Sequence, residues 1–459
     1  MTASARPACP RSAPARVPET LSLSLGVLAL GLNGCGVRDS ELIVSGGDAA
    51  PPLTLPAEVI RAIDERPIGG ASLTTGTRGG GTYAEARAAG SLHLVTTLGE
   101  LAARVGGDSP AVIVVAQGTY LGAGEPRIVK VCHQACEADD PVLEQTLTMT
   151  YCTHGEAIID AMFTTDQLRV GSNKTIIGLG GGARLADIEV VLDGSSNVIL
   201  RNLAIEDVQR GVLQVGNGLS LEAADHVWLD HLTLRDISRT ALDIVSSWDE
   251  ENAQALVKEA GYITVSAVHF DGFVSASCSQ RSELVLTTNR NPALTVTRSW
   301  FDGGSIRVPN LFGPGTWAHL FNNLWSDIDG RGLAVSCGAA ALAQGNVFQA
   351  THNALYNSEP GSSTWQFCVA DPFGKLYAPM GASGVERNLL DASSSMSLAG
   401  QPSNGPGLDL PMPVAGTDFA LNVPVASGTK TETYSVTLAA DPATVATDVP
   451  VQAGVGRLF

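Results

Sequence analysis

Seven segments of this chain alternate apolar, mostly β-branched residues with polar ones over eight or nine positions, and most close on Asn, His or Asp beside Leu, Val or Phe. They are NKTIIGLG from Asn173, NVILRNLAI from Asn197, HVWLDHLTL from His226, YITVSAVHF from Tyr262, ALTVTRSWF from Ala293, WAHLFNNLW from Trp317 and AALAQGNVF from Ala340, with a weaker GVERNLL from Gly384. A period of two predicts strands. The starts recur every roughly 23 to 36 residues, a spacing that belongs to stacked repeats. A β-sandwich would instead show turn signals every roughly 8 to 12 residues and hairpin dipeptides. One rung cannot bury its own apolar side, so successive rungs must stack, and the architecture predicted is an all-β parallel β-helix. Inserted loops on one side of such a stack build the binding surface. The insertions after Asp243 and Phe270 and the loop before Trp317 are predicted to gather there.

Ahead of the repeat, Leu98 to Val105 reads as a short amphipathic helix and Ala111 to Val115 as a buried strand, so a capping helix should cover one end of the stack. The folded domain is therefore placed at residues 86–459. Residues 36–85, rich in Gly, Pro, Thr and Ala, read as a flexible tether. Residues 1–34 carry Arg6, Arg11 and Arg16, no acidic residue before Glu19 and an apolar run from Leu21 to Leu32, the order of an export signal. Leu32-Asn33-Gly34-Cys35 resembles a bacterial lipobox, which makes Cys35 a lipidation site and the protein an outer-membrane or cell-surface lipoprotein; plain secretion is the alternative.

The six cysteines beyond Cys35 (Cys132, Cys136, Cys152, Cys278, Cys337 and Cys368) suit three disulfides in an exported protein, with fifteen possible connectivities. Structural zinc, the rival reading, lacks a Cys-x-x-Cys pair. A formal charge of -18 argues against nucleic acid as a partner. Within the repeat, Pro309 removes a backbone donor and restricts Val308, so Arg307 should end a strand against a stiff turn as a candidate for chemistry. A surface salt-bridge arginine is the plain alternative.

Taken in order, SNKTIIGLGGGARL, SNVILRNLAI, DHVWLDHLTL, ITVSAVHFDG, SWFDGGSIRVP, HLFNNLW and AQGNVF resemble the pectate lyase and pectin lyase family of polysaccharide lyases. The resemblance implies a right-handed parallel β-helix that cleaves galacturonan by β-elimination at C5, with Arg307 in the place of the family's base. Pectate lyases hold Ca²⁺ with acidic side chains. The matching positions here are Asn217, Arg239 and Asp243, with one carboxylate among them and a guanidinium at the pectin lyase arginine's place. The resemblance thus implies a calcium-free enzyme acting on pectin or a related uronan, with Asn217, Arg239 and Asp243 binding substrate and no metal. The alternatives are a calcium-dependent pectate lyase and a non-catalytic carbohydrate-binding β-helix disabled at Asn217. The resemblance further pairs Cys132 with Cys152 and Cys136 with Cys278, leaving Cys337 with Cys368. Trp248 and Trp317, in or beside loops, could stack on sugar rings. Asp230 and His231 look like a catalytic pair, but the resemblance makes them structural. The active unit is expected to be a monomer.

Overall fold

The computed structural model describes residues 53–459 apart from 124–126, 134–156, 164, 209–215, 238, 249–255, 259, 274–283, 290–292, 305–306, 358–372, 381–383, 399–418 and 426–427. The expectations for residues 1–52, Cys35 included, and for Cys136, Cys152, Cys278 and Cys368 lie outside these residues.

Each recurring segment builds one coil of a parallel β-helix with three faces. The apolar run of a segment lies on face A, whose described strands stack in chain order from Leu92–Val95 to Lys375–Tyr377. After a tight corner the chain enters face B, as in Leu203–Glu206, Trp300–Asp302 and the start of Leu324–Ser336. A second corner leads to face C, as in Leu219–Glu222, Thr240–Val245, Leu284–Asn289 and Asn310–Phe312. All these neighbours pair in parallel, and a parallel crossover of this kind is right-handed. The predicted run Leu294 to Phe301 is therefore two strands, Leu294–Thr297 on face A and Trp300–Asp302 on face B, broken where Arg298 takes a left-handed backbone at φ 51°.

Alternation sends one side chain in two into a common interior. Under face B, Phe270, Phe301, Trp325 and Phe348 come from successive coils and stack with ring centroids 4.8, 4.8 and 4.5 Å apart. Such pairs contribute about 0.5–1.5 kcal/mol each beyond area burial. The asparagines that close the segments sit at the A-to-B corner, where Asn323 Nδ2 donates to Asn346 Oδ1 at 3.0 Å and Asn346 Nδ2 to Asn388 Oδ1 at 2.9 Å. The same amides cap strand carbonyls of Val296, Leu320 and Ala343, so the corner is satisfied rung by rung. Helix Leu98–Val105 forms as predicted, capped by Thr97 and burying Leu101 and Val105 against the first coils.

Residues 53–85 are not a tether. Helix Ala57–Asp64 and the segment behind it lie on the outer side of face A, burying Leu55, Val59, Ile63 and Leu73. Gly70 N–H donates to Thr295 Oγ1, Ala71 N–H to Thr264 Oγ1, Gly79 N–H to Asn197 Oδ1 and Gly80 N–H to Thr175 Oγ1. The glycines that read as flexibility in sequence are here a condition of close approach. A Cβ on Gly80 would come within 2.1 Å of Ala111 O, and one on Gly79, at φ +58°, within 2.1 Å of Thr175 Oγ1. Gly79→Ala is accordingly expected to destabilise the fold by about 1–3 kcal/mol through backbone strain and overpacking, read as a lowered melting temperature; an unchanged one would show that the segment is dispensable.

Candidate functional site

The candidate residues come from one edge of face C. Asn217, Arg239 and Arg307 stand at the B-to-C corner, just ahead of the face C strands Leu219–Glu222, Thr240–Val245 and Asn310–Phe312, and Asp243 lies within the second of these. Ser220, Asp243, Thr287 and Asn310 occupy one register row across face C. At about 4.8 Å per coil, Arg239 and Arg307 are two coils, about 10 Å, apart along the axis.

Asn217, Arg239 and Asp243 meet. Asn217, 7% exposed, donates through Nδ2 to Ser220 Oγ at 3.0 Å and to Asp243 Oδ2 at 3.2 Å, and an Arg239 guanidinium nitrogen lies 4.0 Å from that same Asp243 oxygen. Ser220 Oγ in turn donates to Glu189 Oε1 at 2.9 Å, and Gln167 Nε2 to Glu189 Oε2 at 2.9 Å, so a polar chain runs under the site across neighbouring coils. Burial pushes the Asp243 carboxyl above its usual range; Arg239 and the Asn217 bond oppose the shift, and Glu189 and Glu222 add to it. Asn217 Oδ1 is buried with no hydrogen-bond partner among the described residues, an unsatisfied acceptor beside Asp243.

This donor set fits a calcium ion poorly. A hard divalent cation takes six to eight oxygens, several of them carboxylate. Here Asp243 already faces an amide N–H and a guanidinium, and Arg239 would repel the ion.

Arg307 stands apart from that group. It forms a single parallel bridge with Arg331 on the next coil, and Val308 N–H donates to Arg331 O at 2.9 Å and Gly332 O at 3.0 Å. The Val308–Pro309 peptide is cis, Val308 is fully buried, and the Trp325 indole N–H donates to Val308 O. The sequence reading put Arg307 at the end of a strand; instead it precedes Asn310–Phe312, because the chain turns from face B to face C there. Its neighbour is Arg331 rather than Arg239. Sequence reasoning missed Arg331, which lies inside the long strand Leu324–Ser336 with its guanidinium 4.1 Å above the Tyr356 ring. The signal available was register: Arg331 follows Trp325 by the same interval as Arg307 follows Phe301.

Two other expectations change. Trp317 is no sugar platform. It opens the face A strand Trp317–Phe321, is 8% exposed and packs with Leu73, Ala293, Leu342 and Tyr434, because the N-terminal segment and Tyr434 cover that side. Trp248 falls in the antiparallel hairpin of Ser247–Trp248 with Leu256–Lys258, beyond the opposite edge of face C from Arg239. Asp230 and His231 belong to face A and the corner after it, away from Arg307. Cys337 is buried and disulfide-bonded, while Cys132 lies in strand Arg127–His133.

Residues 146–362 match the family model described as pectate lyase. Among curated proteins, the chain is 29% identical to a probable pectin lyase F-2 of Aspergillus terreus over 54% of this chain and 48% of that one. It is 30% identical to pectin lyase B of Emericella nidulans over 44% of this chain and 53% of that one. The chain thus spans about half the length of the curated relatives it matches. A solved structure of a pectate lyase from Paenibacillus sp. 0602 superposes with a TM-score of 0.53 over 85% of this chain and 96% of that one at 16% identity, which is a likeness of fold.

Proposed function

We propose that this chain, a member of the pectate lyase and pectin lyase family, is an exported lyase that cleaves esterified pectin by β-elimination without a metal ion. The observation that carries the metal-free reading is the Asp243 carboxylate, already engaged by the Asn217 amide and facing Arg239. In the elimination, the C5 proton of a uronyl unit leaves to a base, the C4–O bond breaks, a C4=C5 double bond forms and the departing sugar oxygen takes a proton. Arg307 is assigned the base: it takes the C5 proton on a nitrogen of its unprotonated guanidine, becomes the guanidinium, and that positive charge balances the alkoxide expelled from C4 until the oxygen is protonated. Arg331, on the adjacent coil, supplies positive charge where the uronyl carbonyl gains electron density. Arg239 does for the carbonyl of a bound ester what a cation does elsewhere, and Asn217 Oδ1 accepts a sugar hydroxyl. The esterified polymer is nearly neutral, which suits a chain of net charge -18. At the other end, Cys35 is proposed to carry a lipid that holds the monomeric enzyme at the cell surface. The same cysteine pairings are proposed to hold, with Cys337 joined to Cys368.

The test is the absorbance of unsaturated product from high-ester and low-ester pectin, with and without a chelator. The expected result is product from high-ester pectin at a rate the chelator leaves unchanged. Activity abolished by the chelator would favour a calcium-dependent pectate lyase with its site elsewhere. No product from either polymer would leave a carbohydrate-binding β-helix.

A further inference from the structure

We infer that Phe273, with Asp271 and Asp302 beside it, forms a subsite for the apolar face of an uncharged, esterified sugar next to the reacting unit, and that it disfavours a sugar with a free carboxylate. The inference rests on the proposed elimination and adds the basis of its substrate choice.

Phe273 belongs to the coil between those of Arg239 and Arg307, at the same B-to-C corner. It is 43% exposed, one of few large apolar side chains so open among the described residues. Its position is built rather than incidental. The ring lies against Gly303, at φ +82° on the Arg307 coil, where a Cβ would come 3.1 Å from Phe273 Cε2. A Cβ on Gly272 would come 2.6 Å from the Gly303 carbonyl carbon, so the two coils approach backbone to backbone and leave the ring laid across the join. Phe273 N–H also donates to Asp271 Oδ1 at 3.1 Å, which ties the platform to the carboxylate.

Asp271 and Asp302 are register partners on adjacent strands of face B, about 4.8 Å apart at the backbone. Asp302 Oδ1 accepts from Ser326 Oγ at 3.0 Å, and its other oxygen is 3.6 Å from His269 Nε2. Partial burial raises the Asp271 carboxyl above its usual range, against the Phe273 bond and with Asp302 adding to the rise. Carboxylates accept hydroxyl donors readily and repel a further carboxylate, while an aromatic face covers the C–H side of a sugar ring. Arg235 faces Asp271 from the coil before, but Glu206 Oε2 already accepts from Arg235 Nε at 2.6 Å, so that guanidinium is shared with a second carboxylate. A polymer unit that is esterified meets this arrangement without penalty; a free uronate does not.

The test compares wild type, Phe273→Ala, Phe273→Trp and Asp302→Asn on pectins of high and low ester content. Phe273→Ala should lower kcat/KM on high-ester pectin about tenfold, through KM, with the melting temperature unchanged because the ring is half-exposed; Phe273→Trp should retain most of the activity. Asp302→Asn should narrow the ratio of kcat/KM between high- and low-ester substrates. An active wild type whose KM and ratio are unmoved by these changes would overturn the subsite and leave the elimination standing. A wild type that yields no unsaturated product would sink the elimination instead. In that case, retardation in gels containing high-ester pectin still decides the subsite, being reduced in Phe273→Ala if it exists and undiminished if it does not.

Discussion

Arg307→Ala is expected to lower kcat for unsaturated product by about 10²–10⁴-fold, the range contributed by a positioned proton-transfer group, with little change in KM and none in folding. The backbone at this point has its own anchors in the residue that follows. Val308 is buried in the interior, its N–H is bonded to Arg331 O and Gly332 O, and its carbonyl accepts from the Trp325 indole. Removing the guanidinium therefore removes chemistry and leaves the corner in place. Arg307→Lys separates two roles. A lysine keeps the charge but not the planar fork or its reach, so a purely electrostatic contribution would survive the change, while proton abstraction at one fixed atom would not. The expected result is a lysine variant nearly as impaired as the alanine one. Undiminished turnover in Arg307→Ala, measured on high-ester pectin with a melting curve as control, would remove Arg307 from the mechanism and shift attention to Arg331.

Much of the fold was legible because most rungs announce themselves twice, once through alternation and once through a closing Asn, His or Asp. Asn323 and Asn346 read as punctuation in sequence and proved to be successive members of one ladder. The N-terminal segment was illegible for a physical reason. Glycine marks both loose chain and backbone that must touch another backbone, and only the neighbour at Ala111 or Thr175 tells which. Trp317 was misread in the same way, since an aromatic residue at a segment boundary looks exposed until the covering Leu73 and Tyr434, far off in sequence, are in place. At the site, resemblance to family motifs pointed to Asn217, Arg239 and Asp243, which the structure brings together. Arg331 escaped although the repeat carries it, because the aligned segments end at Phe301 and Trp325 and the equal six-residue steps to Arg307 and Arg331 lie in the connections beyond them.

Asp230→Ala is expected to destabilise the protein by about 3 kcal/mol at neutral pH, the low end for breaking a buried ion pair, because the Glu65 carboxylate and the Ala62 carbonyl still face Arg201. Arg201 is 1% exposed, and its Nε and one terminal nitrogen donate to Asp230 Oδ2 at 2.8 and 2.6 Å. The other terminal nitrogen donates to Ala62 O, and Glu65 Oε2 lies 2.7 Å from the guanidinium, so the pair fastens helix Ala57–Asp64 to face A. Trp228 closes the group, with the guanidinium 4.2 Å from its ring centroid and its indole N–H bonded to Ser266, which itself donates to Asp230. Burial alone would raise the Asp230 carboxyl. The His231 hydrogen bond and the Arg201 charge outweigh it and hold the group at about 2. A carboxyl held below its unfolded value of about 3.9 adds stability above that pH and loses it as the pH falls through the folded value. The wild type should therefore lose about 2 kcal/mol between roughly pH 4 and pH 2 from this group. The gap between wild type and Asp230→Ala should narrow by about that amount over the same interval, because a protonated Asp230 no longer offsets the Arg201 charge. Denaturant midpoints of both proteins from pH 7 down to pH 2 would measure this. A gap that stays constant with pH would mean that the lost packing of the side chain, and not its charge, holds the N-terminal segment down.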